Sequence, residues 1–185
     1  DLGFTAPSVQ LTVVGTRWVV FDPASGLLRA DGLRSPIDLG SVLGDLLGSA
    51  GTAYTVVQQP GDDAAGVLVA TDRGAASVGF DGSVSGRIGL PATATGGRLW
   101  LAAPVRLGRC VNATWAAATM IFYGRNCEQD HTDAVTIEDP APVAGEAARP
   151  PRTDGVRLRV NRGQLVLNDI DTGGLWDVDT DHPVK

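Results

Sequence analysis

Apolar positions along this chain gather in short runs, each roughly four to seven residues long and closed by Gly, Asp, Pro or Asn. They read "VQLTVVG", "RWVVFD", "AYTVVQQ", "GVLVATD", "RLWLAAPV", "TMIFYG", "VRLRV", "QLVLND" and "GLWDVD" from one end of the chain to the other. Val, Leu and aromatic residues dominate them, as expected of strands with one or both faces buried. Helical spacing is weak. In "SPIDLGSVLGDLLGSAG", Leu39, Val42, Leu43, Leu46 and Leu47 stand on one helical face, but Gly40, Gly44 and Gly48 weigh against a stable helix there. The pattern predicts an all-β chain.

Two of the runs repeat one layout. "WVVFDPASGLLRADG" (18–32) and "LVLNDIDTGGLWDVD" (165–179) each carry an apolar strand ending in Asp22 or Asp169, then turn residues, then Gly26 or Gly173, then a second apolar strand. A shorter version, "VLVATDRGAASVGFDG" (67–82), places Asp72 and Gly74 in those roles. Asp initiates such a turn by bonding its own backbone, and Gly supplies the positive φ that closes it. Each unit is then an antiparallel hairpin whose apolar face needs a neighbour. Hairpins repeated in this way predict a β-propeller-like fold, a partial or small ring, with a β-sandwich as the alternative. With about 40 to 45 residues to a blade, the 185 residues supply about four. An incomplete ring leaves an open edge, so the expectation is either self-association, as a homo-oligomer, or blades supplied elsewhere in a parent protein. The stretch 138–155, "EDPAPVAGEAARPPRTDG", is dense in Pro and Ala and reads as a long surface loop inside a single domain spanning 1–185.

Charge narrows the partners. The formal net charge is −6; Lys185 is the only lysine, and arginines such as Arg17, Arg29, Arg34, Arg73, Arg87 and Arg98 are scattered singly. Nothing there tracks a phosphate backbone, so no nucleic-acid partner is expected. No apolar stretch approaches the roughly 20 residues of a spanning helix. The opening "DLGFTAPSVQ" lacks the basic and apolar regions of a signal peptide, consistent with a piece of a larger protein.

Cys110 and Cys127 are the only cysteines, and His131 and His182 the only histidines. Zinc would need four ligands at closer paired spacing, and a redox pair would read C-x-x-C. Two readings stay open, a disulfide and a pair of buried free thiols. The disulfide is favoured, because "VNATWAA" and "TMIFYG" pair naturally as a hairpin with both cysteines at its open end. Such a bridge implies an oxidising compartment. The sequon Asn112–Thr114 reads as a chance match, and the two histidines, set among acidic residues, as solvated loop residues. Asp169, Asp171, Gly174 and Asp177 fall at calcium-loop positions, but Thr180 stands where the bidentate Glu belongs, so no metal site is expected. No nucleophile elbow, phosphate loop or dinucleotide fingerprint is present, which predicts neither an enzyme nor a cofactor. Trp18, Trp100, Trp115 and Trp176 read as core packing before ligand platform.

The order of "LTVVGTRWVVFDPASGLL", "VVQQPGDDAAGVLVATDRGAASVGFDG", "AAPVRLGRCVNATWA" and "RVNRGQLVLNDIDTGGLWDVD" resembles the extracellular region of large actinobacterial surface proteins with Ig-like or fibronectin type III repeats. In that family a membrane-spanning helix precedes a propeller-like region and tandem repeats follow it. The resemblance runs from about Val9 to the end and carries no catalytic motif. It implies a cell-surface location and a non-enzymatic scaffold or adhesion role. It also implies a cell-envelope or protein partner, a Cys110–Cys127 bridge, and membrane contact only through an anchor absent from this stretch. The alternative function is an extracellular hydrolase acting on envelope polysaccharide, which would need two carboxylates about 5 to 9.5 Å apart in one cleft.

Overall fold

A computed structural model describes residues 9–47, 56–58, 64–91, 94, 99–117, 119–127, 129–137 and 155–178. The Pro/Ala-rich stretch 138–154, His182 and Thr180 lie outside them. Among the described residues the chain is all-β, with four sheets and one short helix. The first sheet is an antiparallel meander of β1 (Gln10–Val14), β2 (Arg17–Asp22), β3 (Leu27–Ala30) and β4 (Ile37–Asp38). The second joins β5 (Val56–Gln58), β6 (Gly66–Ala70), β7 (Gly74–Gly79) and β8 (Val84–Gly89) in order, with β13 (His131–Asp133) added parallel to β8.

The third sheet is built on β11 (Cys110–Ala116) and β12 (Ile121–Asn126), flanked by β14 (Val135–Ile137) beside β12. On the other side of β11, β9 (Trp100–Leu101) and β10 (Val105–Leu107) share one edge position, broken at Ala102–Pro104. Proline has no N–H for a ladder, so the interruption falls where an edge tolerates it. The fourth sheet is β15 (Val156–Asn161), β16 (Gln164–Asp169) and β17 (Leu175–Asp177). Every apolar run read from the sequence contains one of these strands.

The repeated turn is present as predicted at both ends of the chain. Asp22 Oδ1 accepts from Ala24 N at 2.9 Å while Gly26 N donates to Asp22 O at 2.9 Å. Asp169 Oδ1 accepts from Asp171 N at 3.1 Å, and Gly173 N donates to Asp169 O at 2.9 Å. Gly26 and Gly173 share φ 70°, a backbone region open to glycine. In the second sheet the assignment of this role to Asp72 is corrected. Thr71 performs it, its Oγ1 accepting from Arg73 N at 3.1 Å and Gly74 N at 3.2 Å. A threonine hydroxyl makes the same turn as a carboxylate, one residue earlier than the charge pattern indicates.

Helix α1 (Leu39–Leu43) forms in the segment whose glycines weighed against it. Asp38 caps it, accepting from Gly40 N at 2.9 Å and Ser41 N at 3.3 Å. It ends at Gly44, φ 55°, and a 3-10 turn follows over Gly44–Leu47. The glycines thus limit its length without preventing it, and Leu39 and Leu43 bury against the first core.

Alternation along the strands distributes side chains to three successive cores. Phe21, Leu28, Val67 and Val69 pack between the first and second sheets. Leu68, Ile88, Trp115 and Phe122 pack between the second and third, and Ile121, Tyr123, Leu167 and Trp176 between the third and fourth. Period-2 geometry sends neighbours to opposite faces, so all of Gly66–Ala70 is buried. Among the described residues no buried cluster joins the fourth sheet to the first.

The second and third sheets meet closely because Gly124 has no side chain: a Cβ there would collide with Ile88 Cγ2. Replacement of Gly124 by Ala should cost about 1–3 kcal/mol through overpacking, read as a lowered midpoint in denaturant unfolding. Trp115→Ala should cost about 3–5 kcal/mol, and an unchanged midpoint in either variant would contradict this packing.

Candidate functional site

The features with chemical character converge on one end of the second sheet, at the turn between β7 and β8. Two clefts open there, one on each side of that turn. The first, about 580 Å³, lies toward the first sheet and is lined by Gly15, Arg17, Ala64, Phe80, Asp81 and Ser83 among others. Arg17 lies over the Phe80 ring, 5.6 Å from its centroid, a cation–π arrangement. Asp81 starts the turn: its Oδ1 accepts from Ser83 Oγ at 2.6 Å and from Ser83 N at 2.9 Å. These bonds, the hydroxyl's foremost, stabilise the carboxylate and hold Asp81 below the ordinary aspartate range.

The second cleft, about 400 Å³, lies toward the third sheet. Arg87, Arg106, Arg109, Asn126, Gln129 and Asp130 supply its polar lining. Arg106 gives one Nη to Ser77 Oγ at 2.8 Å, and a guanidinium has five N–H donors in all. Arg87 donates to the carbonyls of Val42 at 3.2 Å and Leu43 at 3.4 Å, which ties helix α1 to this wall. Gly86, φ 61°, brings the backbone against Val111, where a Cβ would meet that side chain at 2.6 Å.

The cleft's far wall is fixed covalently. Cys110 and Cys127 are joined by a disulfide across a sequence separation of 17. The register Val111↔Asn126 puts them at the open end of the β11–β12 hairpin, where the sequence located them. Next to the bridge, Asn126 Nδ2 donates to Arg87 O at 2.8 Å and to Gln129 O at 3.0 Å, and its Oδ1 accepts from Gln129 N at 2.9 Å. Asn126 therefore satisfies itself across the gap between two sheets, and it is buried.

The other residues singled out by sequence fall apart from these clefts. Asn112 of the sequon is buried, its Nδ2 donating to the carbonyls of Val105 at 3.3 Å and Cys110 at 3.2 Å, so the folded protein cannot present it to a glycan-transferring enzyme. His131 is exposed on β13, its Nε2 3.0 Å from Asp133 Oδ1. Asp169 is spent on its turn. Among the described residues no three His, Cys, Asp or Glu side chains gather closely enough to hold a metal ion. Each cleft contains a single described carboxylate, Asp81 in one and Asp130 in the other. Trp115 and Trp176 are core residues, whereas Trp18 stands out on the surface of the first sheet. The sequence did not single out the arginine cleft, because only sheet packing brings Arg87 on β8 beside Arg106 on β10 and Arg109 in the turn after it.

Asp81 generates a pH prediction. Its folded-state pKa is depressed, so its contribution to the turn is complete above the unfolded value of about 3.9. That contribution is lost as pH falls through the lower folded value. Carboxyl-carbon NMR titration should give Ser83→Ala a higher Asp81 midpoint than the parent chain; equal midpoints would show that the hydroxyl is not the cause. No protein-family model, curated protein or solved structure matches the chain.

Proposed function

We propose that this chain is a non-enzymatic binding and spacing module of a cell surface, a piece of a larger membrane-anchored protein whose sheets are blades of a propeller-like arc. The observation that carries the reading is the cleft between the second and third sheets, whose walls are held by the Cys110–Cys127 bridge and by Asn126. Rigid walls lined by arginines suit recognition, because groups already in place need little reordering on binding. Among the described lining residues, Arg87, Arg106 and Arg109 stand beside one carboxylate, Asp130, and Arg87 also lies 3.9 Å from Asp45 Oδ1. A carboxylate, sulfate or phosphate on an envelope polymer is the class of group such a cleft takes, through charge-assisted bonds. The disulfide supports an oxidising location outside the cytoplasm, and the antiparallel meanders β1–β4, β5–β8 and β15–β17 support the blade reading.

Two measurements test this. In an NMR titration with a uronic-acid oligosaccharide, amides of Ser85–Arg87 and Arg106–Val111 should shift first, and Arg106→Ala should weaken the apparent affinity at least fivefold. Absence of shifts at those amides at tens of millimolar probe would remove the binding role. Intact mass after thiol alkylation should show both cysteines blocked until reduction. Loss of the bridge in a Cys110→Ser, Cys127→Ser variant should cost about 3 kcal/mol. Free alkylation of the native protein would remove the argument for an extracellular address.

A further inference from the structure

The cleft between the first and second sheets holds two opposite charges that do not pair with each other. Arg17, at the start of β2, and Asp81, in the β7–β8 turn, are the charged groups among its described lining residues. No ion pair joins them, and among the described residues Arg17 makes no hydrogen bond. Its contact is with the face of the Phe80 ring. A ring face attracts a cation without taking a directed hydrogen bond from it, so the guanidinium's five N–H donors stay available.

Asp81 is engaged through one oxygen only. Both bonds from Ser83 end on Oδ1, and among the described residues Oδ2 accepts none. The turn is built closely round that arrangement: a Cβ on Gly79 would lie 2.5 Å from both Asp81 Oδ1 and Ser83 Oγ. Gly79 N donates to Ser83 O at 2.8 Å, and Phe80 N donates to Ala65 O at 2.8 Å, which ties the turn to the segment before β6. A structural ion pair would bring the two charges into contact. Here each is held by its own neighbours, and the cleft keeps an unmet cation and an unmet anion.

We infer that this cleft is a binding site for a short zwitterion, a free amino acid or small peptide whose carboxylate meets Arg17 and whose ammonium meets Asp81. A carboxylate matches the forked donors of a guanidinium. An ammonium has donors alone and an ionised Asp81 has acceptors alone, so those two match as well. Val14, Ala64 and Ala65 supply small apolar walls that admit a backbone with short side chains. The volume, about 580 Å³, falls within the roughly 300–1,000 Å³ of small-molecule sites. Both charges are exposed to solvent, so the affinity is weak, with a dissociation constant on the order of 1 mM. The site is separate from the arginine cleft and does not depend on what that cleft binds.

L-alanyl-L-alanine is the probe, followed by amide NMR at low ionic strength. Amides of residues 15–17 and 80–83 should shift and saturate, whereas those of 106–111, on the arginine cleft, should not. N-acetylation and C-terminal amidation of the dipeptide each remove one charge, and each should weaken binding at least fivefold. In Asp81→Asn, whose amide oxygen can still accept from Ser83, acetylation should no longer matter. In Arg17→Gln, amidation should no longer matter. The ligand series on the parent chain tests the proposal whether or not a variant folds. Absence of shifts at tens of millimolar dipeptide would overturn the site. A dipeptide blocked at both ends that binds as well as the free one would overturn it too, as would succinate shifting the same amides more strongly.

Discussion

The indole of Trp115 is fully buried and donates to the carbonyl of Thr71 at 2.7 Å, and much of the structure is arranged around that bond. Thr71 stands at the β6–β7 turn, where its hydroxyl also donates to the Leu46 carbonyl at the end of the helical segment. One residue thus ties the first connection, the second sheet and the third sheet together without a charge. An unpaired indole N–H in this core would carry the full desolvation penalty of a buried donor. That penalty fixes the turn against the tryptophan and sets the distance at which Gly124 must let Ile88 in.

Coupling between the second and third sheets is unusually direct for a chain of stacked hairpins. Instead of passing straight from β12 to β14, the backbone leaves the third sheet, lies parallel to β8 as β13, and returns. Asn126 marks the departure, its amide shared between Arg87 of one sheet and Gln129 of the crossing segment. A similar buried polar bridge joins the third sheet to the fourth. The Tyr123 hydroxyl lies 2.8 Å from Asn112 Oδ1 and 3.0 Å from the Val178 carbonyl. Polar groups so placed fix register, which alternation alone leaves open to slippage.

How far these features can be read from sequence depends on how local their causes are. The apolar runs, the Asp22 and Asp169 turns and the hairpin closed by Cys110 and Cys127 are set by neighbouring residues, and each is visible in the letters. The strand β8, "VSGRIG", is hidden by its two glycines, one of which serves the approach of Val111 from another sheet. Thr71 is inconspicuous beside Asp72 in the letters, because its hydroxyl makes the turn without a charge. The helix over Leu39–Leu43 needed Asp38 as a cap, a cue outweighed by the glycines. The arginine cleft had no local signature, since Arg87 on β8 meets Arg106 on β10 and Arg109 in the following turn only once the second and third sheets have packed. Sequence alternation also said that faces would be buried without saying against what.

The bridge between Cys110 and Cys127 has a mechanical meaning as well as a thermodynamic one. A folded protein under tension lengthens by releasing chain, each residue extending it by roughly 3.3–3.6 Å. The segment between the two cysteines, with its sequence separation of 17, would release about 60 Å if it were free. With the sulfurs joined it releases almost none, and force passes across the base of the β11–β12 hairpin instead of through it. The arginine-lined wall would then keep its shape while the sheets on either side were being drawn out.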